Sequence, residues 1–146
     1  MEKMIEIYTD GGCSVHSGKS GAWAFVVVEN DEVLDEGYGV VHETTNGYME
    51  VLGMQMALEY SLKNFDQETE IVIRCDSQYV VNAYNDWSHK WAKNRWRKAN
   101  NKPIEHETVW RNMHTLRAPN IKVEWVRGHN GNKWNEYVDK LTHNRE

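Results

Sequence analysis

Ile5-Glu6-Ile7-Tyr8-Thr9-Asp10, followed at once by Gly11-Gly12, is the stretch from which the rest of the chain is read. Residues 4–10 alternate apolar and polar side chains, the pattern of a strand with one buried face, and the run ends on a carboxylate. Working outward, residues 22–28 (Ala-Trp-Ala-Phe-Val-Val-Val) form a strongly apolar strand, and 32–42 read as a third despite Gly37 and Gly39. Gly11 to Gly21, between the first two strands, reads as a glycine-rich loop able to approach a ligand backbone closely. Residues 69–75 and 121–126 supply a fourth and a fifth strand. Thr44-Thr45-Asn46 offers N-cap chemistry for a helix over about 48–63. Further helices are expected over 77–86, opening at Ser77, over 105–116, and over 133–143, with Pro119-Asn120 as the break before the last strand. Three consecutive strands followed by alternating helices and strands predict an α/β fold, a mixed sheet flanked by helices.

The 146 residues suffice for one domain with a normal core, so a single domain over 1–146 is expected. The composition, 40% hydrophobic and 27% charged, is that of a globular protein. No apolar run approaches the length of a membrane span, and Met1-Glu2-Lys3-Met4 leads into a strand pattern with no signal-peptide core. Cys13 and Cys75 are too few for a disulfide framework and lack metal-ligand spacing, which fits small buried residues in a reducing cytoplasm.

Four acids fall where chemistry could gather them. Asp10 and Asp76 each end an apolar run, the second being Ile71-Val72-Ile73-Arg74-Cys75-Asp76. Glu50 shares a helical stripe with Gly53, Met54 and Ala57, and Asp139 lies in the last helix. Gly53 costs a helix interior about 1 kcal/mol relative to alanine, which close packing of this face on a sheet would explain. Carboxylates brought together disfavour one another's ionisation, and hard divalent cations prefer such oxygens. The pattern therefore points to a magnesium-type site and to phosphate chemistry. His129 lies between Gly128 and Gly131 in a polar loop just ahead of the acid-bearing helix, a setting that suits proton handling. The other six histidines are scattered, without a ligand pair.

The net charge of −5 argues at first against a nucleic-acid partner, but its distribution argues the other way. Lys90, Lys93, Arg95, Arg97, Lys98 and Lys102 lie between Trp87 and Lys102 with no acid among them, leaving 11 basic and 22 acidic residues elsewhere. Trp87, Trp91 and Trp96 are interleaved with these cations. Aromatic rings among cations suit base stacking beside phosphate contacts. One or two of the indoles are expected instead to anchor the segment to the body, Trp87 and Trp91 being one helical turn apart.

Taken together, Tyr8-Thr9-Asp10-Gly11-Gly12-Cys13, Thr44-Thr45-Asn46 with Met49-Glu50, Cys75-Asp76-Ser77-Gln78-Tyr79-Val80, and Trp125-Val126-Arg127-Gly128-His129 through Asp139 resemble type 1 ribonuclease H. The motifs occur in order over nearly the whole chain, and the basic segment 87–102 is similar to the substrate-binding handle of the bacterial enzymes. The resemblance implies a ribonuclease H-like fold with a five-stranded sheet in order 3-2-1-4-5. It implies an endoribonuclease that hydrolyses the RNA strand of RNA–DNA hybrids, leaving 5′-phosphate and 3′-hydroxyl ends. Asp10, Glu50, Asp76 and Asp139 would bind two magnesium ions, with manganese able to substitute, and His129 would assist proton transfer or product release. Glu136 reads equally as a metal-exchange residue or an ordinary exposed acid. Gly11, Gly12, Cys13, Asn46 and Gln78 would read the minor groove, and Thr45 a DNA-strand phosphate. Trp87, Lys90, Trp91, Lys93, Arg95, Trp96, Arg97 and Lys98 would complete the substrate surface. A monomer in the cytoplasm is implied.

Three features depart from the family pattern. Val15-His16-Ser17-Gly18 replaces a common Gly-Asn-Pro-Gly loop, Gly47-Tyr48 follows Asn46 where Asn and Arg are usual, and the body is acidic. A DNA-cutting nuclease of the same superfamily would share the acids but not the Thr-Thr-Asn, Asp-Ser-Gln and Gly-His set. A non-catalytic hybrid-binding module would be expected to have lost at least one acid.

Overall fold

The computed structural model describes residues 4–14, 20–128 and 130–143. Its five strands, β1 (Met4–Ser14), β2 (Ser20–Glu29), β3 (Glu32–Val41), β4 (Glu70–Cys75) and β5 (Ile121–Trp125), form one mixed sheet in order β3-β2-β1-β4-β5, in agreement with the expected order. β1 is central, antiparallel to β2 and parallel to β4, with Ile5 beside Ile71 and Thr9 beside Cys75. β4 in turn runs parallel to β5.

One expectation is corrected. β1 does not stop at Asp10, because Gly11 to Ser14 continue in register against Trp23 to Ser20. The glycine-rich run is therefore strand rather than loop, and Asp10 sits within β1. Cross-strand pairing outweighs the low strand propensity of glycine here. The residues joining β1 to β2, including the divergent Val15-His16-Ser17-Gly18, lie outside the described residues.

α1 (Asn46–Asn64) is capped by Thr45, whose Oγ1 accepts the Tyr48 N–H at 3.2 Å. Its buried stripe (Met49, Gly53, Met54, Ala57) lies on the sheet. A methyl group added at Gly53 would stand 2.7 Å from Thr9 Oγ1 and 2.9 Å from the Asp10 carbonyl oxygen, so only glycine lets α1 approach β1 this closely. Ser77 caps α2 (Gln78–Asn82), as anticipated. The helix expected to end at residue 86 continues instead through a π-helical turn, Ala83–Trp87, into α3 (Ser88–Lys93), carrying the chain into the basic segment. α4 (Glu107–Thr115) and α5 (Lys133–Thr142) complete the set.

Alternation along β1 divides the interior in two. Ile5 and Ile7 face α1 with Phe25, Val27, Met54, Leu58, Ile73 and Trp110, while Tyr8 faces α5 with Val26, Val28, Trp134 and Val138. Asp10, two residues after Tyr8, belongs by the same alternation to the α5 side, the side that carries Asp139. No helix among the described residues is long and apolar enough to cross a membrane.

Candidate active site

Asp10 is the deepest of the four acids, only 8% exposed, on the central strand. Its Oδ1 accepts the N–H of Gly11 at 2.8 Å. Burial first, then the neighbouring Asp76 charge, with Asp139 also contributing, push its carboxyl up to about 8. Glu50, in the first turns of α1, is half-buried and likewise raised by burial and Asp76, with a hydrogen bond to the Ser77 side chain opposing the shift. Asp76 follows β4 directly. Its Oδ2 accepts from the buried Asn135 Nδ2 at 3.3 Å, and its carbonyl oxygen from Trp125 Nε1 at 3.1 Å. Gly128 packs so close that an added methyl would meet Asp76 Oδ2 at 2.9 Å. The structure thus brings Asp10, Asp76 and Asp139 into one electrostatic neighbourhood, with Glu50 beside Asp76.

Among the described residues no three acids stand in a ready-made ligand shell. The Asp76 charge nevertheless acts on both Asp10 and Glu50, and Asp139 hydrogen-bonds Asp10, which places these acids within interaction range. The donor chemistry fits a hard divalent cation, being all carboxylate oxygen. Cys75, fully buried between these acids, has its thiol pushed well up, by burial before all else, and so stays protonated.

Asp10 has a consequence for stability. A carboxyl whose folded value lies far above its unfolded value of about 3.9 destabilises the native state progressively as pH rises from about 4 to 8. In chelator, Asp10→Asn should therefore melt several degrees above the parent at pH 8 and show no such gain at pH 4. Thermal denaturation at the two pH values checks this, and an equal or lower melting temperature at pH 8 would contradict the burial of a charged Asp10.

The other sequence candidates divide by position. Asn46 Oδ1 accepts the Cys13 N–H, tying α1 to the end of β1. Thr45 and Gln78 are exposed at the starts of α1 and α2. Glu136 is exposed on α5. His129 lies outside the described residues.

Residues 87–102 form a folded projection. After α3 the chain reverses at Arg95 and Trp96, both left-handed (φ 58° and 61°). Arg97 pairs with Pro103, and Asn94 Nδ2 donates to the carbonyl oxygens of Arg97 and Lys98 at 3.0 Å each. Trp91 and Trp96 pack on the core, Trp91 against Trp110 at 6.0 Å between ring centres and Trp96 against His114 at 5.6 Å. Trp87 is 36% exposed and lines a groove of about 430 Å³ with Lys90, Trp91, Asn94 and Arg97. Lys93, Arg95, Arg97 and Lys98 are exposed.

Two features carry no signal in the sequence patterns above. Asn135 contacts Asp76 from one turn before Asp139. Asp31, in the β2–β3 turn, accepts from Trp134 Nε1 at 2.9 Å and Lys133 Nζ at 3.0 Å, seating the start of α5. Asn30-Asp31, bounded by strand patterns, signals such a turn, but nothing local signals what Asp31 binds.

The RNase H family model matches residues 2–146. Ribonuclease H of Enterobacter sp. (strain 638) is 38% identical over 143 residues, covering 97% of this chain and 88% of that protein. Ribonuclease H of Novosphingobium aromaticivorans is 38% identical over 140 residues, covering 95% and 94%. Among solved structures, the PFV RNase H domain superimposes with a TM-score of 0.84 at 21% identity (98% of this chain, 94% of that one). LC9-RNase H1, a type 1 RNase H with the type 2 active-site motif, gives 0.79 at 23% (98% and 72%). Those two likenesses bear on the fold. Fold, acid cluster and relatives together define a hydrolase of the nuclease class. The chain belongs to the ribonuclease H family.

Proposed function

We propose that this chain hydrolyses the RNA strand of RNA–DNA hybrids as one catalytic domain over residues 1–146, leaving 5′-phosphate and 3′-hydroxyl ends. The observation that most supports this reading is the burial of Asp10 on the central strand with Asp76 and Asp139 beside it. These acids and Glu50 would hold two magnesium ions, or manganese in their place. Bound there, the cations supply activation of the attacking water and charge stabilisation at the leaving oxygen. Asp10, the most buried of the four and a neighbour of two others, would be central among these ligands. Asn135 holds Asp76 in place, and His129 would assist proton transfer or product release.

On the substrate side, Gly11, Gly12, Cys13, Asn46 and Gln78 would read the minor groove, where the 2′-hydroxyl separates RNA from DNA. Thr45 at the α1 N-terminus would meet a DNA-strand phosphate. Trp87 and the cations of 87–102 would follow the backbone, while the acidic body leaves attraction to this projection. Neutralising Lys90, Lys93, Arg95, Arg97 and Lys98 together should raise KM and lower the salt slope of binding by roughly one unit for each phosphate no longer neutralised. A salt slope equal to the parent's would refute the assignment.

Matched RNA–DNA, DNA–DNA and RNA–RNA duplexes, each with magnesium or chelator, test the reading. Cleavage confined to the RNA strand of the hybrid, and only with magnesium, is expected. Cutting of the all-DNA duplex would favour a DNA nuclease, and binding without cutting a non-catalytic module.

A further inference from the structure

Arg117, in the connection from α4 to β5, carries a half-buried guanidinium, yet among the described residues no carboxylate pairs with it. Its hydrogen bonds go elsewhere. Nη2 donates to the Tyr84 carbonyl oxygen at 2.6 Å and to Ser88 Oγ at 2.5 Å, and Nε donates to His114 Nδ1 at 3.2 Å. The guanidinium also lies 4.1 Å from the centre of the Tyr84 ring. Even a half-buried cation without a counter-ion is costly unless its N–H groups are satisfied, so this arrangement needs a reason.

The partners supply one. Tyr84 belongs to the π-helical turn and Ser88 opens α3, so Arg117 grips the chain at the point where the α2 axis passes into the basic projection. Slipped hydrogen-bond register at a π-turn allows a change of helix direction, and Ser88 Oγ donates to the same Tyr84 carbonyl at 3.1 Å. Through Nε, Arg117 also holds His114, whose ring faces His89 of α3 and Trp96 at 5.6 Å each. One side chain thus contacts the outgoing limb of the projection directly and braces its returning limb through a single ring. Lysine could not reproduce this, because it lacks the planar fork.

The geometry points to Arg117 as a positioning residue that fixes the orientation of the 87–102 projection toward the nucleic acid. This rests on the proposed role of that projection as the substrate-binding handle. Arg117 lies outside the acid cluster, so its loss acts on binding. Arg117→Met keeps the aliphatic stem and removes the fork. It should raise KM for an RNA–DNA hybrid about tenfold, the size expected for loss of a charge-assisted hydrogen-bond set, with kcat at saturation unchanged. Arg117→Lys should fall between variant and parent. A core variant with a matched drop in melting temperature, made by shortening Ile121, should keep the parent KM, which separates positioning from general destabilisation.

The deciding comparison is a cycle with the variant neutralised at Lys90, Lys93, Arg95, Arg97 and Lys98. Non-additive KM values, with Arg117→Met adding little once those charges are gone, are expected. Full additivity would overturn the positioning role, as would a fall in kcat equal to the rise in KM. If the neutralised variant itself keeps the parent KM, the handle reading fails, and the role of Arg117 fails with it. A raised KM there beside a parent-like Arg117→Met removes the role of Arg117 alone.

Discussion

Asp10→Asn should abolish hybrid cleavage, lowering kcat by about 10³-fold or more, while leaving the dissociation constant for the hybrid within a few-fold of the parent. The substitution keeps shape and the Gly11 N–H contact but removes the charge that Asp76 and Asp139 act upon. A divalent cation contributes several kcal/mol to transition-state stabilisation at a phosphoryl centre, and each step of about 1.4 kcal/mol is tenfold in rate. On the proposed reading, binding would draw instead on the 87–102 segment, which lies apart from Asp10. Single-turnover kinetics on a saturating hybrid, with binding measured in calcium or chelator, give both numbers. Undiminished turnover would sink the cation model. Paired with the melting experiment at pH 8, the same variant is expected to be more stable and inactive, the signature of a site that trades stability for chemistry.

The second large effect is expected from one methyl group. In Gly11→Ala the new carbon would lie 2.3 Å from both the backbone carbon and the carbonyl oxygen of Met49, and 2.6 Å from the Glu50 nitrogen. All three are main-chain atoms in α1, so no side-chain rotation relieves the overlap, and β1 and α1 must part. The cost should reach about 3 kcal/mol or more, roughly 10 °C in melting temperature for a chain of this size. Separation of these elements also draws Asp10 away from Glu50, so activity of the surviving folded fraction should fall as well. Gly47→Ala is the control, since its nearest neighbour is His106 Nε2 at 3.6 Å and alanine suits a helix. Chemical denaturation of the two variants checks the contrast, and a Gly11→Ala protein as stable as Gly47→Ala would refute the close approach.

The strands are legible in the sequence because β1, β2 and β4 carry their periodicity in short apolar runs, and Thr45 and Ser77 announce their helices through local capping. The sheet order is legible only through the resemblance of several separated motifs. Two boundaries are not. Gly11 to Ser14 look like a loop in isolation, and become strand only because Ser20 to Trp23 lie opposite. The π-turn at Ala83–Trp87 leaves no periodic mark, so the helix running on to Lys93 looks like a separate charged segment. At the site, Asp10 and Asp76 stand out as charges ending apolar runs, while Glu50 and Asp139 lie on helices and stand out only beside them. Their supports do not. Asn135 and Asp31 are ordinary polar residues until the fold delivers Asp76 and Trp134 to them, and Arg117 resembles any surface cation before Tyr84 and Ser88 close around it.

The central place of β1 bears on the order of folding. β1 and β2 are near neighbours in sequence and can close a hairpin early, whereas pairing Ile5 with Ile71 requires a long loop to close first. Asp10 lies on the strand shared by both events, Asp76 arrives with the later one, and Asp139 comes from α5 at the far end of the chain. The acid cluster therefore assembles only when the most distant segments have docked. A chain caught halfway through folding, or halfway through synthesis, would hold a formed hairpin and no assembled acid cluster.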